Sequence, residues 1–238
     1  SILLCWALPE RYPAMQANSS DSPSTLSTSD RLLEVAERLF AEKGYSGVSL
    51  RSITAAADAN MAAVHYYFRS KQGLLQAIFE RRAAALTAVR MKALDAALEE
   101  AGDGKPDVRK LLAAFVGPGV ELAGSPEGET FNRLSAICSV DPDPDVRAIV
   151  FGVHDAVART FTDALRRACP DIDATAFFVK LQCIFGSMMY IRTDNGRVDR
   201  LVPADEAMAA KADRAASLEH LLDFLAAGVE ATPRRPSP

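Results

Sequence analysis

Apolar residues recur at helical spacing along almost the whole chain. Leu32, Ala36, Leu39 and Phe40 form one stripe, Leu50, Ile53 and Ala57 a second, and Val64 and Phe68 a third. Ser29 or Asp30 opens the first helix and Gly44 supplies its stop. Ser49 caps a short helix from Leu50 to Ala57. Asp58, Ala59 and Asn60 suit a three-residue turn, because Asp and Asn tolerate left-handed backbone angles. A second short helix spans Met61 to Phe68. Ser70 then caps a long fourth helix that meets no Pro or Gly from Leu74 to about Ala101.

Past a break at Gly102 to Pro106, the pattern predicts a helix from Asp107 to about Ala123, with Pro118 kinking or splitting it. Another covers Gly128 to Val140, and the DPDPD turn from Asp141 to Asp145 separates it from two longer ones. The first, Val146 to Ala168, carries Val146, Val150, Val153, Val157, Phe161 and Leu165 as a narrow seam. The second, Asp173 to Thr193, is apolar on nearly every side and must be covered on nearly every side. A bundle of this size does not surround both, which predicts a subunit interface. A polar loop from Asn195 to Ala204, a last helix from Asp205 to Val229 and a Pro-rich end complete the chain. At the other end, Ile2 to Leu8 is apolar but short, lacks a basic flank and is stopped by Pro9, so it is no convincing signal peptide or anchor. Met15 looks a more natural start, and Gln16 to Thr28, rich in Ser and Thr, is expected to be disordered.

The chemistry concentrates between Val48 and Leu75. In the Met61–Phe68 helix, Val64 and Phe68 turn to the core, Ala62 and Ala63 allow close approach to another surface, and His65, Tyr66 and Tyr67 project. That is the make-up of a groove-reading helix, although His65 could be a plain surface residue and either Tyr could instead lie over the three-helix core. Lys71 in the first turn of the fourth helix opposes the helix dipole, and its placement makes sense if a phosphate sits at that helix end. Overall charge is −4, from 27 basic and 31 acidic residues, and does not suggest a polyanion partner. Its distribution does: between Tyr45 and Arg82, Arg51, Arg69, Lys71, Arg81 and Arg82 stand against Asp58 and Glu80 alone.

With these features in this order, AERLFAEKGYSGVSLRSITAAA followed by NMAAVHYYFRSKQGLL, the stretch from Arg31 to Leu75 resembles the DNA-binding domain of the TetR family of transcriptional regulators. The resemblance implies that Arg51 reaches base or phosphate, that Ala62, Ala63, His65 and Tyr66 face the groove, and that Tyr67 and Lys71 hold phosphates. Ser49 and Asn60, at the starts of the two short helices, complete the candidate DNA-binding set. Asp58 departs from the family, which has Gly in the turn; a tight, slightly strained turn is expected. The fold class is accordingly all-α, with a helix-turn-helix domain at 29–76, a sensing and dimerisation bundle at 77–230, and disordered ends at 1–28 and 231–238.

Eight of the eleven Phe residues lie beyond Arg82, enough for a rigid core or for an apolar ligand cavity between helices. Stretches such as FNRLSAICSVDPDPDVR and FFVKLQCIFGSMMY resemble the sensor of the fatty-acid-responsive TetR subgroup. The resemblance implies a homodimeric repressor released from a near-palindromic operator by a fatty acid or acyl-CoA, through movement of the long fourth helix. Phe115, Phe131, Arg133, Phe177, Phe178 and Met188 are the candidate effector residues. Arg133 or Arg192 would meet the anionic end, unless they are surface ion pairs. The alternative is a DNA-binding protein whose bundle contacts another protein. Scattered Cys5, Cys138, Cys169 and Cys183 fit buried thiols in a reducing cytoplasm, and neither they nor His65, His154 and His220 have metal-ligand spacing. No cofactor motif is found. No enzyme is expected either: His154 and Asp155 are adjacent on a helix, point to different faces and cannot serve one catalytic group with Ser135. No apolar run approaches the length that spans a bilayer, which predicts a soluble protein.

Overall fold

The computed structural model describes residues 26–193 and 195–231. The expected start at Met15, the arm up to residue 25 and the tail from residue 232 lie outside them. The described chain is all-α: α1 (Thr28–Lys43), α2 (Leu50–Ala56), α3 (Met61–Phe68), α4 (Lys71–Ala101), α5 (Val108–Leu122), α6 (Pro126–Ser139), α7 (Pro144–Ala168), α8 (Ala174–Thr193), α9 (Ala204–Ala212) and α10 (Arg214–Glu230), with one 3₁₀ turn at Val198–Arg200.

Side-chain caps set most of the boundaries. Ser27, rather than Ser29 or Asp30, opens α1 by accepting from the Asp30 amide, and Ser49 and Ser52 form a reciprocal capping box on α2. Pro118 neither splits α5 nor ends it; Gly117, Pro118 and Gly119 are all buried within one continuous helix packed against α4 and α10. The single last helix expected from residue 205 is instead two. Asp213 breaks it by capping α10 through the Ala216 amide at 2.9 Å, and Ser217 Oγ donates back to the Ala210 carbonyl at 2.7 Å.

Two apolar clusters organise the interior. In the first, Leu32, Phe40, Ile53, Val64, Leu74, Leu75 and Phe79 hold α1 to α4 together. This cluster continues into Phe131, Leu134 and Cys138 of α6 and Val146 and Val150 of α7, so it crosses the boundary expected near residue 76. The second cluster joins the lower half of α4 to α5, α7, α8 and α10 around Leu111, Phe115, Phe161 and Leu222. Helix α4, about 46 Å long at 1.5 Å per residue, contributes to both.

The α7 stripe therefore does not form a subunit seam. Val146, Val150, Val157, Phe161 and Leu165 are buried within this chain, because α7 lies along α4 and turns its apolar face inward. An uncovered apolar surface lies on α8 and α10. Only Phe177, Ile184 and Met188 of α8 are buried, while Phe178, with Phe224 of α10, faces outward, and Phe185 is open on one side and meets the buried Phe115 ring on the other. By length and composition α8 could cross a membrane, with a mean hydropathy of 1.4, contrary to the expectation that no run is long enough. Its polar residues serve the bundle, however. Lys180 Nζ donates to the carbonyls of Gly228, Val229 and Ala231 and so closes the C-terminal end of α10.

Of the described cysteines, Cys138 is buried, Cys169 half-buried and Cys183 exposed, so the expectation of buried thiols fits one of three. Burial pushes the Cys138 thiol up to about 12, with the Asp141 charge adding to the effect, and this keeps it protonated and inert.

Candidate nucleic-acid interface and sensor cavity

The turn between α2 and α3 is held from α1. Arg31 donates to the carbonyls of Ala57 at 3.2 Å and Asp58 at 3.4 Å, which fixes Asp58 in the left-handed region at φ 47°. Asn60 does not use its own tolerance for such angles. It is extended, and its Oδ1 accepts from the Ala63 amide at 2.8 Å to cap α3. The turn thus starts α3 at a fixed angle above the first core cluster, into which Val64 and Phe68 are sunk.

Apart from Ala63, which packs against the edge of that core, the rest of α3 faces away from it. Ala62, His65, Tyr66 and Tyr67 are exposed and Ala63 is half-buried, with Tyr66 as open as 81%. Tyr66 and Tyr67 meet edge to face, ring centroids 4.9 Å apart, and Tyr67 also lies 6.0 Å from the ring of Phe68 at the edge of the core. Ser49, Arg51 and Asn60 flank them, also exposed. The His65 Nδ1 lies 3.0 Å from the Arg69 carbonyl oxygen. A carbonyl only accepts, so Nδ1 carries the hydrogen, and in the neutral ring Nε2 is left pointing outward as an acceptor. Arg69, which the sequence marks only by its charge, makes this bond possible by ending α3 at φ 67°.

Lys71 stands differently from the rest. Its ammonium lies 4.1 Å from the centre of the Tyr45 ring and 5.8 Å from that of Phe40. Burial there lowers its pKa, against a raising influence from Asp141. The basic surplus of the head is also smaller than the sequence count: Arg82 and Arg81 both turn in to the buried carboxylate of Glu37, at 3.0 and 3.5 Å. Burial raises the Glu37 pKa more than the two arginines lower it. Arg51 and Arg69 remain as the outward cations of the reading surface, with Lys71 beside them against the Tyr45 ring.

In the bundle, a cavity of about 730 Å³ opens among α5, α6, α8, the 3₁₀ turn and α9. Arg133 and Met188 line it. The other four candidate effector residues lie elsewhere. Phe115 stacks on Phe161 at 4.2 Å in the second core, Phe131 packs on Phe79 in the first, Phe177 sits under the Arg166 guanidinium, and Phe178 faces outward. Helical periodicity could mark these rings as apolar but not say which gap they filled. Val116, Gly119, Asn132 and Arg192 line the cavity in their place. Among the described residues no group of acidic, His and Cys side chains could hold a metal.

Comparison with known proteins matches this architecture at both ends of the chain. The family profile "Bacterial regulatory proteins, tetR family" covers residues 32–78, and "Tetracyclin repressor-like, C-terminal domain" covers 113–228. The chain is 47% identical over 51 residues to the probable HTH-type transcriptional regulator YttP of Bacillus subtilis, a match over 21% of this chain that spans about a quarter (25%) of that relative. A tetR-family regulatory protein from Rhodococcus RHA1 superposes with a TM-score of 0.62 over 88% of this chain and 100% of its own, at 16% identity. The fatty acid degradation regulator FadR from Bacillus halodurans gives a TM-score of 0.62 over 90% of this chain and 100% of its own, also at 16% identity. At that identity the two structures share the fold alone. The two profiles together cover more than half of the sequence, and the chain belongs to the TetR family of bacterial transcriptional regulators rather than to any enzyme family, with a helix-turn-helix DNA-binding domain at its N-terminal end.

Proposed function

We propose that the protein is a ligand-released repressor that binds a near-palindromic operator as a homodimer. The observation that carries this reading is the outward face of α3: five exposed side chains on a helix whose opposite face is locked into a core. Placed in a major groove, His65 Nε2 accepts from adenine N6 or cytosine N4, the donors a groove offers. Arg51 and Tyr67 take phosphates on either side, and Ser49, Asn60, Ala62, Ala63 and Tyr66 fill the approach. At the start of α4 the first-turn amides have no partner within the helix, and Lys71 joins them on a phosphate by leaving the Tyr45 ring, at a cost of about 0.5–1 kcal/mol.

Lys71→Ala is expected to weaken binding to all duplexes alike and to flatten the log–log salt dependence by about one unit. Fluorescence anisotropy across a salt series measures this, and an unchanged slope removes Lys71 from the phosphate set.

The second copy covers the apolar faces of α8 and α10. Phe224 is 72% exposed and Phe178 62%, and both lie on the surface that no part of the described chain covers. Phe224→Asp should give a folded monomer by sedimentation, with operator affinity down by at least ~100-fold once one half-site is lost. A dimer that survives the change places the interface elsewhere.

The cavity supports a small-molecule effector over the reading in which the bundle contacts another protein, since its volume falls in the ~300–1,000 Å³ range of ligand sites. A fatty acid or acyl-CoA suits its mixture of Val116, Met188 and Ile191 with Arg133 and Arg192. Released operator in the presence of such a compound, and no release by unrelated apolar compounds, is the expected result.

A further inference from the structure

The inner wall of the cavity is built from charges that no local pattern in the chain places there. Arg192, at the end of α8, lines it, and its Nη2 is buried without a hydrogen-bond partner. Arg90, on α4, is 2% exposed. The two guanidinium groups converge on the same point of α5. A Cβ on Gly119 would stand 2.8 Å from Arg192 Nη2 and 2.9 Å from Arg90 Nη2, so the two groups are no further apart than those distances combined. Any residue but glycine at 119 would occupy the space between them. From α6, Asn132 holds this wall in place by donating to the Gly119 carbonyl at 2.7 Å.

Behind it lies His154 of α7, both ring nitrogens buried and without partners. Its pKa is lowered to about 4 by burial and by the charges of Arg90 and Arg192. The imidazole is therefore neutral and adds no third cation, its depression coming first from burial and only then from the two guanidinium charges.

A buried cation with an unsatisfied donor is costly, and it persists where an anion completes it. We infer that this wall is an oxyanion pocket that takes the carboxylate of an apolar-tailed acid, with Arg192 donating to it directly, Arg90 supplying charge from behind Gly119, and the tail lying along Val116, Val120, Met188 and Ile191. The inference rests on the cavity being the effector site and adds which end of the effector goes where. A free carboxylate reaches the pocket as a compact head; the thioester of an acyl-CoA has no carboxylate to put there.

The test is calorimetric titration of the full-length protein with dodecanoate, dodecanol and dodecanoyl-CoA, repeated on Arg192→Gln and Gly119→Ala. Dodecanoate is expected to bind at least ~10-fold more tightly than dodecanol. Arg192→Gln should bring the two within ~3-fold of each other, and Gly119→Ala should weaken dodecanoate more than dodecanol. If the acid and alcohol bind equally to the unaltered protein, or if the CoA ester binds most tightly and is indifferent to Arg192→Gln, the oxyanion pocket is wrong while the effector cavity stands. If none of the three binds, both are wrong. The comparison on the unaltered protein holds even if a variant fails to fold.

Discussion

Gly73→Ala should destabilise the protein by at least ~2 kcal/mol and abolish high-affinity operator binding, although the change adds one methyl group to a half-exposed helix position. The Cβ would stand 2.1 Å from the carbonyl oxygen of Phe68, closer than any real contact allows. That oxygen belongs to the last turn of α3 and cannot swing away as a flexible side chain could. Relief requires the Phe68–Ser70 corner to open. Three local features depend on that corner: the left-handed Arg69, the bond from His65 Nδ1 to the Arg69 carbonyl, and the Ser70 cap that accepts from the Gly73 amide at 3.0 Å. Gly152→Ala supplies the control. It lies within α7 with nothing near its Cβ position, and in a helix interior the same substitution should stabilise by up to ~1 kcal/mol. Urea unfolding of both variants measures the contrast, and a neutral Gly73→Ala would mean that the α3–α4 corner is looser than its geometry.

Acidification should destabilise the bundle through His154. Its ordinary pKa of 6.5 falls to about 4 in the folded chain, so the unfolded state takes up the proton first as pH drops. A base with a depressed folded pKa contributes stability that is complete above 6.5 and is lost as pH falls toward 4. The full loss is at most ~3.5 kcal/mol, since each pH unit between the unfolded and folded values is worth about 1.4 kcal/mol. His154→Leu removes that titration. The difference in unfolding free energy between the parent and His154→Leu should therefore change across this window, with the parent losing more. Parallel curves would show that His154 is solvated and free to charge. A bound carboxylate between Arg192 and Arg90 would offset part of their influence on the ring, and the parent's acid loss should shrink when the cavity is filled.

Local grammar made the reading head legible in the sequence, and long-range geometry limited what could be read beyond it. Ser49, Asp58, Val64, Phe68 and Ser70 each act within a few residues of themselves, and the structure places α2, α3 and the start of α4 within a residue or two of expectation. The charge count around the head failed for a non-local reason. Arg81 and Arg82 meet Glu37, which lies on α1 more than forty residues earlier. The seam on α7 failed in the same way: a heptad-like stripe shows that a helix is covered along one edge, and nothing in it says whether the cover is a second chain or α4. Arg90 had no local signal at all. Its guanidinium has room where it lies because Gly119, on another helix, carries no side chain. Asp213 was the missed local signal, an N-cap residue inside an alanine-rich run that composition alone reads as continuous.

Dimerisation, effector release and the oxyanion pocket all serve one central claim, that α3 reads duplex DNA and does so twice in each assembly. Selection of random duplexes on the full-length protein at low salt, repeated with His65→Ala, tests it most directly. The expected outcome is a two-fold symmetric consensus with half-sites about one helical turn, ~34 Å, or a multiple of it apart, in which one position per half-site prefers adenine or cytosine and loses that preference in His65→Ala. Recovery of no enriched duplex, or of an asymmetric consensus unchanged by His65→Ala, would contradict it.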